Sequence, residues 1–244
     1  MIKIIKIDAI ESTNAFAETL LADRKIDSST CIITNNQTSG KGMGRNKWHS
    51  EPNLNLIFSL VYFPDFLLAS NQFALNKTVA LAVSDLLKQL LDKENIFIKW
   101  PNDIYINDKK GAGILIKTSV QYQTINWAII GIGININQKS FPEYLPNPGS
   151  VIQYKKIEID LDNTLNIFLA IFEKRYNQLK TGQTSLIDRE YLNRLYQLNI
   201  ASDYIVRGEK IKATIKGVNQ FGWLQLLTDK GNTIECEVKQ LKFV

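Results

Sequence analysis

The sequence has 244 residues and a formal charge of +5, from 29 Lys and Arg against 24 Asp and Glu. Its 45% hydrophobic and 22% charged residues exclude wholesale disorder, while 13 Gly and 2 Cys exclude collagen-like and disulfide-stapled classes. This length predicts one large domain, or one domain with a small companion, and the mild positive excess suits ATP, nucleic acid or an acidic protein as a partner.

Lys3 and Lys6 interrupt the opening MIKIIKIDAI, so a signal peptide is not expected, and no run approaches the roughly 18 apolar residues of a membrane span. A cytoplasmic protein without membrane contact is the expectation. Ser12 or Thr13 can cap a helix through Asn14 to Ala22, because a hydroxyl there satisfies free N–H groups. Cys31–Asn35 and Asn55–Val61 read as strands, rich in β-branched and aromatic residues. Cys31 and Cys236 lie far apart and read as buried thiols rather than a bridge. Val79, Val83, Leu86, Leu87, Leu90 and Leu91 mark one face of a helix from about Asn76. Ile96–Trp100 is a predicted strand broken at Pro101, and Ile104–Ile106 and Gly113–Lys117 flank a hairpin turn at 107–110. Ile125–Ile136 reads as a long buried strand. Leu165, Phe168, Leu169, Phe172, Tyr176 and Leu179 predict a second amphipathic helix, and Thr184–Leu195 a third. Beyond about Ile200 the texture changes. Tyr204–Arg207, Lys210–Gly217, Trp223–Leu227 and Thr233–Val238 are short strands separated by turns at Gly208, Gly222 and Gly231, which predicts a small barrel appended to an α+β domain.

Three segments can carry chemistry. From Gln37 to Trp48, Gly40, Gly42 and Gly44 alternate with other residues, so backbone N–H groups can approach an anion, and Lys41, Arg45 and Lys47 add charge. The spacing is neither a Walker loop nor a dinucleotide fingerprint, and a solvated basic loop is the competing reading. Trp48 can stack on a base. Lys99-Trp100-Pro101-Asn102-Asp103 puts an ammonium at a strand edge, suited to phosphate or carboxylate if it faces a pocket and inert if it snorkels into solvent. Gly131-Ile132-Gly133-Ile134-Asn135 marks close approach of a ligand or a packing bulge, and Asn135 offers a donor and an acceptor to an adenine edge or a ribose hydroxyl. His49 is the one histidine, so neither a nucleophilic triad nor a metal site is expected.

In this order these segments resemble the biotin protein ligases (biotin–[acetyl-CoA-carboxylase] ligases). The resemblance runs from Glu11-Ser12-Thr13-Asn14 through the loop at 40–48, Lys99–Asp103, Lys110-Gly111-Ala112-Gly113-Ile114-Leu115 and Gly131–Asn135. It implies an α+β fold: a mixed-sheet catalytic domain of the biotin/lipoate ligase type over 1–197, and a small C-terminal SH3-like β-barrel over 198–244. It also implies two half-reactions: biotin and MgATP give biotinyl-5′-AMP, then a lysine of a biotin carboxyl carrier protein domain takes the biotin. By resemblance Lys99 sits between biotin's carboxylate and the α-phosphate, and Lys41 and the loop residues Gly40, Gly42, Met43 and Arg45 wrap the adenylate. Ser12, Thr13 and Gln37 then serve biotin's ureido ring, Gly113, Ile114 and Leu115 wall its pocket, Trp48 and Asn135 contact adenine, and Asn14, Asn102 and Gly133 join the binding residues. Asp103 either accepts the proton of the attacking lysine or holds the turn.

Three departures stand out. Lys41 replaces a usual Arg, and Met43 replaces an Arg of many members, with Arg45 expected to fold inward in compensation. Gly111 replaces an apolar residue, which would loosen that corner. The eleven residues before Ser12 cannot hold a helix-turn-helix, so sequence-specific DNA binding is not expected. A homodimer is left open. The competing functions are a lipoate or other acyl-adenylate protein ligase, and a non-enzymatic nucleic-acid-binding module.

Overall fold

The computed structural model describes residues 2–244. The chain begins with strand β1 (Lys3–Ile10), crosses through helix α1 (Thr13–Ala22) and returns as β2 (Thr30–Gln37), parallel to β1. Strand β3 (Leu56–Tyr62) follows, then helix α2 (Phe73–Leu90) and the short strands β4 (Ile96–Lys99) and β5 (Asp103–Ile106). A long hairpin, β6 (Lys109–Gln121) and β7 (Thr124–Ile134), completes a seven-stranded mixed sheet of order β1-β2-β3-β7-β6-β5-β4. A one-turn helix α3 (Ile152–Lys155) leads to α4 (Leu161–Lys180) and α5 (Thr184–Asn193). Five strands form the second sheet: β8 (Ala201–Val206), β9 (Glu209–Val218), β10 (Leu224–Thr228), β11 (Thr233–Cys236) and β12 (Leu241–Phe243). Their order is β11-β10-β9-β8-β12, all antiparallel, a sheet of SH3-like kind with two edges rather than a closed barrel.

The period of two along β2 explains the layering. Cys31 and Ile33 pack with α2 and α4, while Ile32 between them packs with Ala17 of α1 on the opposite face. Both faces are therefore covered, and β3 along its whole length and β2 over residues 30–34 are buried without alternation. On the α4 face Phe58 meets Phe168 edge-on at 5.1 Å, and Phe168 stacks on Phe172 at 6.0 Å. The core does not stop at the first sheet. Tyr204, Ile215, Leu224 and Leu226 of the second sheet belong to the same cluster as Ile98, Trp100 and Leu195.

Several boundaries differ from the sequence expectation. Helix α2 starts at Phe73, three residues before Asn76. The hairpin turn between β5 and β6 is only Asn107-Asp108, which Asn107 makes possible by adopting φ 53°. Strands β1 and β12 and helix α3 were not expected. Both cysteines are free and buried, and burial pushes the Cys31 thiol up to about 12. Among the described residues no helix is long and apolar enough to cross a membrane.

Candidate active site

A cavity of about 110 Å³ opens where the N-terminus of α1, the loop after β2 and the middle of the β6–β7 hairpin converge. Three parts of the sequence meet there by different routes.

The first part is neutral and hydrogen-bonding. Ser12 caps α1, its Oγ accepting from the Ala15 N–H at 3.4 Å, so Thr13 and Asn14 begin the helix with their side chains buried. The Gln37 carbonyl oxygen accepts from the Thr13 N–H at 3.0 Å, which leaves the Gln37 amide N–H₂ free to donate into the cavity. Ser59 on β3 is fully buried, with its hydroxyl 2.7 Å from Thr13 Oγ1 and 2.6 Å from Asn14 Oδ1. One hydroxyl has one proton, and the Asn14 oxygen can only accept it. The Thr13 hydroxyl therefore donates within its pair and keeps lone pairs for a ligand N–H. Asn14 Nδ2 donates to the Leu115 carbonyl at 3.1 Å, tying α1 to β6. Gly131 is required underneath, because a Cβ there would run into the Asn14 amide.

The second part is a flap. Residues 40–48 close on themselves: Trp48 N–H donates to the Gly40 carbonyl at 2.9 Å, Gly42 N–H to Asn46 at 2.8 Å, and Lys41 bridges Lys47. Gly44 turns the tip with φ 67°. The Trp48 ring lies across the sheet over two glycines. A Cβ at Gly113 would stand 2.8 Å from Trp48 Cζ3, and one at Gly133 would overlap the same indole. The indole N–H is buried without a hydrogen-bond partner.

The third part is charged. Lys110 on β6 reaches Asp103 on β5 at 2.7 Å and lies 5.7 Å from the centre of the Trp48 ring. With Lys41 and Lys47 it makes three lysines against one carboxylate residue in the lining. Asn102 braces this corner, its Nδ2 donating to the Ile114 carbonyl at 2.6 Å while Ile114 N–H donates back at 2.9 Å.

Fourteen of the eighteen expected site residues line the cavity: Ser12, Thr13, Asn14, Gln37, Lys41, Gly42, Met43, Trp48, Asn102, Asp103, Gly113, Ile114, Leu115 and Gly133. Four do not. Lys99 turns along the strand instead, donating to the Tyr105 hydroxyl at 2.9 Å and lying 4.6 Å from the Phe243 ring centre. Burial holds its ammonium below the ordinary lysine value, with Asp103 partly offsetting this. Lys110, not Lys99, lines the cavity, together with Lys41 and Lys47. Gly40 sits at the base of the flap, packed on the Trp48 backbone. Arg45 is exposed at the flap tip and does not line the cavity; the basic flap residues that do are Lys41 and Lys47. Asn135 is buried, and its Nδ2 donates to the Gly149 carbonyl at 2.9 Å. The Asn135 backbone N–H holds Gly111 O at 2.9 Å, so the residue supports the strand that carries Lys110. Gly111 does not loosen its corner; it is buried with a Cβ position only 2.7 Å from Ile106 Cδ1.

Lys110, Asn46, Lys47, Ile57, Gly131 and Ile132 complete the lining; none of them was among the expected site residues. For Lys110 a signal existed: it opens the Lys110–Leu115 motif, on the strand that pairs with the one carrying Asp103.

A profile of the Biotin/lipoate A/B protein ligase family matches residues 7–135. The chain is 32% identical over 231 residues to the bifunctional ligase/repressor BirA of Bacillus subtilis, covering 92% of this chain and 69% of that relative. It is 27% identical over 230 residues to the biotin--[acetyl-CoA-carboxylase] ligase of Paracoccus denitrificans, covering 92% and 90% respectively. The fold is that of the biotin protein ligase from Aquifex aeolicus in complex with biotin and ATP, with a TM-score of 0.82 at 24% identity over 99% of each chain.

Proposed function

Since the chain belongs to the biotin/lipoate A/B protein ligase family, we infer that this cavity activates biotin with ATP and passes it to a lysine of a biotin carboxyl carrier protein domain. The observation that carries the reading is the polarity of the cavity. Neutral donors and acceptors at Thr13 and Gln37 and the cationic side chains of Lys41, Lys47 and Lys110 belong to the lining of one cavity. A ureido ring needs the first and a carboxylate beside a phosphate needs the second.

In the first step a carboxylate oxygen of biotin attacks the α-phosphorus of ATP, the bond to the β-phosphate oxygen breaks, and pyrophosphate leaves with Mg²⁺. Two anions repel on approach, so the reaction needs fixed cations rather than an acid or base. Lys110, held by Asp103 and backed by the Trp48 ring, meets the carboxylate and the α-phosphate; Lys41 and Lys47 on the flap meet the phosphates. In the second step the carrier's amine attacks the acyl carbonyl, AMP departs with the bonding pair, and the amine loses a proton. Asp103, which lines the cavity, is the carboxylate assigned to that proton in this reading. Its pairing with Lys110 favours a positioning part as well.

Residues 1–197 form the catalytic unit in this reading and 198–244 the C-terminal unit. The cytoplasm as location belongs to the same proposal. ATP–pyrophosphate exchange measured with biotin and with lipoate side by side tests it. Exchange that depends on biotin supports the reading, and exchange driven by lipoate alone replaces it with lipoate ligation.

A further inference from the structure

Lys99-Trp100-Pro101-Asn102-Asp103 faces two ways. Its last two residues line the cavity, and Asp103 holds Lys110. Trp100 does not touch the cavity. It is 3% exposed, and its indole N–H donates to the Gly222 carbonyl at 2.8 Å, a buried bond into the C-terminal sheet. Lys99, one residue earlier, places its ammonium 4.6 Å from the Phe243 ring centre on β12. Adjacent residues thus grip two separate parts of the C-terminal sheet.

The partner on the far side is stiff. Gly222 lies in the turn between β9 and β10, where Asn219 Oδ1 accepts from the N–H groups of Phe221 and Trp223, both at 3.0 Å. Gly222 N–H donates to the Asn219 carbonyl at 3.0 Å. The turn needs φ 87° at Gly222, and a Cβ there would run into the ring of Phe73 at the start of α2. Phe73 is in turn held edge-on to Tyr191 at 6.1 Å. The Gly222 carbonyl is therefore presented from a braced position.

We propose that Trp100 is a positioning residue: through its bond to Gly222 the C-terminal sheet fixes the turn at 100–103 and so sets Asp103 against Lys110 for adenylation, without touching a substrate. This rests on the ligase reading above. A bond that merely satisfied a buried indole would add stability alone. A bond that orients the turn acts on the rate, because misplacing a fixed cation weakens transition-state stabilisation more than ground-state binding.

The test uses the full chain and single-turnover adenylate formation, in the unmodified and the Asp103→Asn backgrounds. Trp100→Phe keeps a ring and removes the donor. The expected result is a fall in kcat of at least fivefold, with KM for biotin changed less than twofold. In the Asp103→Asn background the same substitution then costs less than twofold. Should Trp100→Phe not fold, the same comparison is read from Gly222→Ala, which displaces the turn and leaves Trp100 whole. An active chain whose rate is indifferent to the substitution, or falls equally in both backgrounds, overturns this proposal alone. An unmodified chain without biotin-dependent activity overturns the ligase reading and this proposal with it.

Discussion

Lys110 and Lys99 differ in what their ammonium groups meet. Lys110 faces a carboxylate, an aromatic ring and open cavity; Lys99 is spent on a tyrosine hydroxyl and the Phe243 ring. Lys110→Met should therefore lower biotin-dependent pyrophosphate exchange by about 10²–10³, the usual effect of removing one fixed electrostatic contact. Lys99→Met should retain at least about a third of it, and equal losses in the two variants would contradict the assignment. The sequence pointed to a segment that reaches the cavity, but the lysine expected there, Lys99, does not line it, for a physical reason. Lys99 and Asp103 are direct cross-strand partners, so they share a face of the sheet. A four-carbon side chain can still run along the strand, and here it runs toward Tyr105 and a ring on β12. That ring sits on a three-residue strand with no pattern of its own to announce it. The Ser12–Asn14, Gln37 and Gly113–Leu115 positions were legible because caps, tight turns and glycines under a ring are locally encoded.

Among the elements, α2 and α4 were read easily, since long amphipathic spacing has few alternatives. Strand β1 was not, because its exposed edge interleaves charges with isoleucines, and α3 is too short to show a period. The packing of the helices adds something that spacing does not reveal. Arg175 on α4 reaches Asp85 on α2 and Glu190 on α5, both at 2.7 Å, while Arg194 reaches Asp85 at 2.6 Å. The Arg175 side chain is only 10% exposed and bonds two carboxylates. Arg175→Met would leave both short of a partner in a half-buried position, so unfolding stability should fall by about 3 kcal/mol. Urea denaturation of the two proteins measures this directly. A loss under about 1 kcal/mol would mean that Arg194 and solvent take over the pairing.

At the scale of the whole molecule, the change of texture after Ile200 located the second sheet, but nothing in the pattern showed that its core is continuous with the first. Trp100, Leu195, Tyr204 and Ile215 belong to one cluster. A chain ending at Gln197 should therefore lose stability as well as ligation. Exposing Trp100 alone is worth about 1.5–3 kcal/mol, or about 5–10 °C in Tm for a chain of this size. Thermal melting by circular dichroism, alongside transfer of biotin to a carrier domain, checks both losses; an unchanged Tm with full transfer would show the second sheet to be dispensable. The flap has a different bearing on the molecule as a whole. Lys41 and Lys47 stand exposed on its two arms, and a field from the cavity mouth reaches into water only as far as the ionic atmosphere allows, about 10 Å at 0.1 M salt. Diffusional capture of a nucleotide polyanion should then slow as ionic strength rises, whereas bond making beside the half-buried Lys110 should hardly respond. Stopped-flow association at 0.05 M and 0.5 M salt, set against single-turnover chemistry at the same concentrations, separates the two rates. Encounter is governed at the rim, and reaction a few ångströms further in.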